Sequence, residues 1–158
     1  MCKKTNAMRL LDKKKVVYKV IEYEVNEDNL NATHVAGSVG LPTGQVFKTL
    51  VARGDKTDII VAVIPGDKEL DLKALAKVSG NKSVAMLALK EVLPVTGYIR
   101  GGVSPLGMKK LYPTYIDEKA KVWAEISISS GLRGYQIVLA PSALVMVVLG
   151  AQFVKISS

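Results

Sequence analysis

Histidine and cysteine are nearly absent from this sequence: one of each, His34 and Cys2, in 158 residues. A single cysteine excludes an internal disulfide and fits a reducing cytosol, so a cytoplasmic protein is expected. A zinc site takes about three or four His, Cys or carboxylate ligands. No such cluster occurs, so neither a metal nor another cofactor is expected. A Ser-His-Asp triad would have to be built around His34 alone, and Cys2, on the terminus, is a poor catalytic candidate. Long hydrophobic runs are missing too. The longest, Ala143–Leu149, is far short of the roughly 20 residues that cross a bilayer. Met1 to Leu11 carries charge but no apolar signal-peptide region, so no membrane partner is expected. Known phosphate loops also fail. There is no GxGxxG, and Gly102 to Gly107 has GxxxxG spacing, but Met108 intervenes before Lys109, no Ser or Thr follows, and Pro105 removes an amide donor.

What is present bounds the fold. Hydrophobic residues make up 49% and charged residues 23%, enough to bury a core and too few charges for a disordered chain. The length suits a single domain over residues 1–158, which should bury roughly 68–70% of its unfolded surface. Lys and Arg outnumber Asp and Glu by 22 to 14, a net charge of +8 that favours an anionic partner such as nucleic acid.

Thr5 caps a first helix with Ala7, Met8, Leu10 and Leu11 on its apolar stripe, and Lys13–Lys15 suit the negative end of its dipole. Val16 to Val25 alternates and reads as a strand. Thr33 to Val39 reads as a helix stopped at Gly40-Leu41-Pro42. Val46–Ala52 and Ile59–Ile64 form a hairpin about Arg53-Gly54-Asp55-Lys56. Asp71 caps a helix that Gly80 ends. Ser83–Met86 is a strand, and Leu87–Leu93 a helix closed by Pro94. Thr114–Asp117 and Val122–Ile128 are strands. Tyr135–Leu139 pairs back across the turn Ser129–Gly134. Pro141 opens a last helix through Leu149, with Met146 in the core, and Phe153–Ile156 is a final strand. About seven or eight strands with four or five short helices, mostly in pairs joined by short turns, predict an α/β fold with a mixed, curled sheet.

Four sites carry candidate chemistry. The adjacent glycines of Gly101–Gly107 let a ligand approach bare backbone, whose amides bind an oxyanion or phosphate; the same composition also suits an ordinary connection. Lys48 shares a strand face with Val46 and Leu50, so it either snorkels to the surface or points into a cavity. Ser129–Gly134 presents hydroxyls and the Arg133 fork, or is a plain hairpin turn. Lys109 and Lys110 either track a nucleic-acid backbone or form a solvated patch.

Val46-Phe47-Lys48-Thr49-Leu50-Val51, Gly101-Gly102-Val103-Ser104-Pro105-Leu106-Gly107 and Ser129-Ser130-Gly131-Leu132-Arg133-Gly134, in this order, resemble the YbaK/EbsC family of free-standing aminoacyl-tRNA deacylases, related to the editing domain of prolyl-tRNA synthetase. The likeness runs from about Thr5 to Ile156. It implies a compact α/β domain with a barrel-like mixed sheet surrounded by short helices, and hydrolysis of mischarged tRNA, foremost Cys-tRNA(Pro). The tRNA acceptor end is the implied partner, with a prolyl-tRNA synthetase as a second one. Lys48, Gly102 and Gly107 take the implied catalytic places. Tyr23, Gly101, Val103, Ser104, Pro105, Ser129 and Arg133 take substrate-binding places. Relatives with an acidic residue just after the S-G-x-R-G turn differ from this chain, which has Gln136 and Val138. The resemblance also implies substrate-assisted catalysis, in which the cysteinyl thiol attacks its own carbonyl. A deacylase for Ala-tRNA(Pro), using a bound water, and a non-catalytic tRNA-binding module remain open at this level.

Overall fold

The computed structural model describes residues 4–148 and 150–158, so Cys2 and Leu149 lie outside the described residues. Eight strands and five α-helices of seven or eight residues follow one another. The predicted hairpin is the centre of the fold. β2 (Phe47–Gly54) and β3 (Asp58–Pro65) pair antiparallel in the register Lys48↔Ile64. β4 (Val84–Met86) joins the other margin of β2, while β5 (Thr114–Asp117) and β8 (Gln152–Val154) add on in parallel beyond β3. The result is a mixed five-stranded sheet, β4-β2-β3-β5-β8. Seven of the eight residues of β3 are buried, because both faces of the sheet are covered, and this is why the strand reads as an unbroken apolar run.

One face carries Phe47, Val61, Val63 and Ile116. It packs against α1 (Asn6–Lys13), α5 (Pro141–Val147) and a second sheet through Met8, Leu11, Leu144, Ile126, Ile128 and Ile137. The other face buries Ile60, Ala62 and Ile64 against Leu75 of α3 (Leu72–Ser79) and Ile156. The second sheet has three antiparallel strands in the order β1 (Lys19–Glu22), β7 (Tyr135–Leu139) and β6 (Ile126–Ser129). It touches the first through an isolated parallel bridge, Val46↔Ser127. The expected barrel-like sheet is therefore corrected. Among the described residues there are two sheets with open margins, and the mixed pairing belongs to the larger one.

Several element boundaries, and the burial of Met146, also differ. The first strand pairs only over Lys19–Glu22, because β7 supplies partners only from Tyr135 to Val138. β6 begins at Ile126 rather than Val122, since Asp117 caps a 3-10 turn over Glu118–Val122. Pro94 lies inside α4 (Leu89–Thr96) instead of closing it. The last turn continues because Thr96 Oγ1 donates to the Val92 carbonyl (2.7 Å) and Gly97 N–H to that of Leu93 (2.8 Å), so proline removes one bond without ending the helix. α5 buries Pro141, Leu144 and Val147. That spacing turns Met146 outward, 78% exposed rather than in the core.

Buried polar groups tie the ends down. Asp117 is fully buried and accepts from the N–H groups of Lys119 (2.9 Å) and Ile156 (3.1 Å). Asn81 accepts from the N–H groups of Lys56 and Thr57 and donates to the Thr57 and Ser79 hydroxyls, which pins the β2–β3 turn.

Candidate active site

β4 covers β2 only along Ala52–Gly54. Where β2 runs free of it, a cleft of about 310 Å³ opens over residues 46–51. One wall is the start of α2 (Ala32–Val39), with Leu30 and Asn31 before it. Met86, Leu87, Leu89 and Val92 form another. Arg100, Gly101 and Val103 close it on the glycine-loop side, and Ser129 and Gln136 face in from the three-stranded sheet.

Lys48 lines this cleft, half-buried, with its ammonium 3.4 Å from the Gly66 carbonyl. The cavity alternative thus describes it better than snorkelling to open surface. Gly66 is required by close approach. A Cβ there would lie 2.5 Å from Ala32 Cβ and 2.8 Å from the Val46 carbonyl oxygen, and its N–H donates to that same oxygen at 2.7 Å. Next to Lys48, Thr49 Oγ1 is buried with no hydrogen-bond partner among the described residues, an unusual state for a hydroxyl that borders a cavity.

Ser129 and Gln136 sit opposite one another in the β6–β7 register. The Ser129 hydroxyl oxygen accepts from Gly131 N–H (3.2 Å), and Gln136 Oε1 accepts from the buried Ser127 hydroxyl (2.7 Å). Gln136 stands where a carboxylate would have altered the charge of the cleft, and it is held as a neutral amide.

The glycine loop divides into cleft and scaffold. Gly101, with φ of 82°, and Val103 line the cleft, and their N–H groups have no partner among the described residues. Gly102 N–H donates to the Ile99 carbonyl (2.9 Å), closing a tight turn. Gly107, with φ of 71°, lies against Tyr98 and Asn6, and a Cβ there would come within 2.9 Å of the Tyr98 hydroxyl. Tyr98 donates to the Leu106 carbonyl (2.6 Å), and its ring occupies the space over Gly131 that a side chain would need. Burial pushes its pKa up to about 12, so the hydroxyl stays a donor at neutral pH. Ser104 and Pro105 are buried behind the cleft, where Ser104 Oγ accepts from Leu106 N–H. Arg133 Nε donates to the Arg100 carbonyl (2.7 Å), stitching the two loops together. Tyr23 packs on Val35, Ala36 and Val46. Lys48, Gly101, Val103 and Ser129 therefore meet at the cleft, whereas Gly102, Gly107, Tyr23, Ser104, Pro105 and Arg133 do not line it.

The structure adds Thr49, Gly66, Arg100 and Gln136. Thr49 lies within the Lys48 motif and Gln136 just after the Ser129–Gly134 turn, and Gly66 between Pro65 and Asp67 reads only as a turn. Nothing in the sequence marks Arg100 beyond its place before the glycine pair. None of the lining residues is His, Cys, Asp or Glu. Among the described residues no helix is long and apolar enough to cross a membrane.

Such a cleft defines a class: a pocket that presents cationic side chains and backbone N–H groups, with no carboxylate, imidazole or thiol among its lining residues. Residues 27–146 match the aminoacyl-tRNA editing domain. The chain is 54% identical over 155 residues, 98% of its own length and 94% of the relative's, to Enterococcus faecalis EbsC, provisionally named a Cys-tRNA(Pro)/Cys-tRNA(Cys) deacylase. It is 30% identical to a proline–tRNA ligase of Sulfurihydrogenibium over 77% of this chain and 21% of the ligase. A crystal structure provisionally described as a trans-editing enzyme for prolyl-tRNA synthetase superposes with a TM-score of 0.83 over 99% of both chains, at 25% identity. The chain belongs to the aminoacyl-tRNA editing domain family and, by that membership, is an aminoacyl-tRNA deacylase, a hydrolase.

Proposed function

We propose that the chain deacylates mischarged tRNA in trans, as a single domain over residues 1–158, with Cys-tRNA(Pro) as its first substrate and Cys-tRNA(Cys) as its second. One observation carries the reading: the cleft is lined by an ammonium, a guanidinium, hydroxyls and amides, but no imidazole, thiol or carboxylate. An aminoacyl ester is already activated, so positioning and stabilisation of the tetrahedral oxyanion suffice, provided a nucleophile comes with the substrate. A cysteinyl ester brings one. Its sulfur attacks its own carbonyl carbon, the ester C–O bond breaks, and the thiol proton passes to the departing ribose oxygen. The amino acid leaves as a cyclic thiolactone that water opens to cysteine.

In this reading Lys48 supplies positive charge to the developing oxyanion or to the terminal adenosine's phosphate. The unpartnered N–H groups of Gly101 and Val103 replace that of Gly102 as oxyanion donors, since Gly102 spends its own on Ile99. Gly102 and Gly107 shape the loop, and Ser104, Pro105 and Arg133 hold it. Ser129 receives the α-amino group, and Tyr23 supports α2 from behind. The name of the EbsC relative supports the substrate. A prolyl-tRNA synthetase is the inferred partner, supported by the likeness to a segment of proline–tRNA ligase, because the cleft itself reads only an aminoacyl end.

The test is a deacylation panel: Cys-, Ala-, Ser- and Pro-tRNA(Pro) with Cys-tRNA(Cys), each with and without the synthetase. Cysteinyl esters should be lost fastest and leave through a trappable thiolactone. Equal loss of the alanyl ester would replace the thiol by water. Binding of every charged tRNA without turnover would leave only a binding module.

A further inference from the structure

Residues 4–19 hold six cations, Lys4, Arg9, Lys13, Lys14, Lys15 and Lys19, against one carboxylate, Asp12. They account for five of the chain's eight net positive charges. Lys4 pairs with Asp12 and Lys19 with Glu125. Arg9, Lys13, Lys14 and Lys15 are exposed and have no carboxylate partner among the described residues. Arg9 and Lys13 are one helical turn apart and share a face of α1.

The end of this helix carries a second observation. α1, α2 and α3 close alike: the N–H of Val16, Leu41 and Asn81 returns to the carbonyl five residues back, that of Leu11, Ala36 and Ala76. The left-handed residue this closure needs is Gly40 (φ 76°) in α2 and Gly80 (φ 79°) in α3. In α1 it is Lys15 (φ 58°). A side chain is disfavoured there and glycine is not. A strained residue retained where an unstrained one is standard points to a use for its side chain.

The helix is also aimed from the cleft. Its cap, Thr5 Oγ1, donates to the Ser130 carbonyl (2.6 Å), next to Ser129 of the cleft, and Asn6 abuts Gly107 of the glycine loop. Eight residues then carry the chain about 12 Å to the triple lysine.

We infer that α1 and Lys13–Lys15 form a phosphate-binding ridge that grips the backbone of the same tRNA away from its aminoacylated end. The inference rests on the tRNA substrate proposed above. The ridge precedes residues 27–146, the span of the editing-domain match, so it supplements the cleft rather than restating it.

The test measures binding of an uncharged tRNA transcript, across a salt series, to the full chain and to Lys15→Gly and Lys13→Gln/Lys14→Gln/Lys15→Gln variants. A short 3′-terminal oligonucleotide ending in CCA serves as the control. Each lost contact should weaken tRNA about three- to fivefold and reduce the log–log salt slope by about 0.7–0.9, while the oligonucleotide binds unchanged. Lys15→Gly is the sharper variant. It should melt higher than wild type and yet bind tRNA less tightly, two effects of opposite sign that a purely structural lysine would not produce. Unchanged tRNA affinity and slope in both variants overturn the ridge. If the wild-type chain hydrolyses no aminoacyl ester but binds tRNA with this lysine dependence, the ridge stands and the deacylase reading falls. If it hydrolyses esters and the variants bind as wild type, the reverse holds.

Discussion

Lys48→Met keeps the aliphatic stem of a half-buried side chain and deletes its charge. The ammonium makes one hydrogen bond, to the Gly66 carbonyl at 3.4 Å, near the outer limit for such a bond. Its loss should change folding stability by no more than about 0.5 kcal/mol. Activity should respond on another scale. A charge aimed at a developing oxyanion is worth about 10²–10³ in rate, or about 2.7–4 kcal/mol of transition-state stabilisation. Single-turnover deacylation of Cys-tRNA(Pro), run beside urea melts of the same samples, separates the two quantities. Lys48→Arg keeps a charge on a wider, planar head and should recover part of the rate. A Lys48→Met protein that melts as wild type and deacylates within threefold of it refutes the role given to the ammonium.

Gly66→Ala should destabilise by about 1–3 kcal/mol and raise KM, because the new methyl meets Ala32 Cβ and the Val46 carbonyl, neither of which can rotate away; a second change, Ala32→Gly, should restore only part of the melting temperature. Asp117→Ala strips the buried acceptor from two N–H groups and should lose about 3–5 kcal/mol, a fall of roughly 10 °C in Tm, read by calorimetry; a shift under 2 °C would contradict it. Tyr98 ionises near 12 in the folded chain against an ordinary value of 10.0. The stability its neutral hydroxyl confers is present below pH 10 and is lost as pH rises from there through about 12. Denaturant midpoints at pH 8 and pH 11 should therefore fall for wild type, while Tyr98→Phe, weaker at pH 8 through the orphaned Leu106 carbonyl, should show less of that alkaline loss.

Where local signals agreed with tertiary packing, the fold was legible. Asp71 and Gly80 bound α3 as read, and the β2–β3 hairpin falls where two apolar runs flank Gly54 and Asp55. The misreadings occur where partners outside the segment decided. Tyr18 and Tyr23 have strand-like neighbours but lie outside the β1–β7 ladder. Val122 continues an apolar pattern, yet Asp117 has already turned the backbone into a 3-10 helix. The splitting of the strands into two sheets was beyond reach for the same reason. Val46↔Ser127 is a contact between residues 81 positions apart, and no local pattern announces it.

The candidate site shows the same division at finer scale. Motif order brought Lys48, Gly101, Val103 and Ser129 together, but a glycine motif does not say which of its glycines meets the ligand and which makes room for a neighbour. Tyr98 settles that for Gly107 and Gly131, since its ring and hydroxyl fill the space that side chains there would need. Composition, by contrast, spoke about chemistry. One histidine in the chain left little prospect of an imidazole base, and the structure adds that none of the fourteen acidic side chains lines the cleft. On the proposed chemistry, selection among amino acids is then a matter of reactivity more than of fit. An alanyl ester is smaller than a cysteinyl one and enters the same space, so no wall of Leu87, Leu89 or Val92 can exclude it. It lacks only the sulfur that performs the attack.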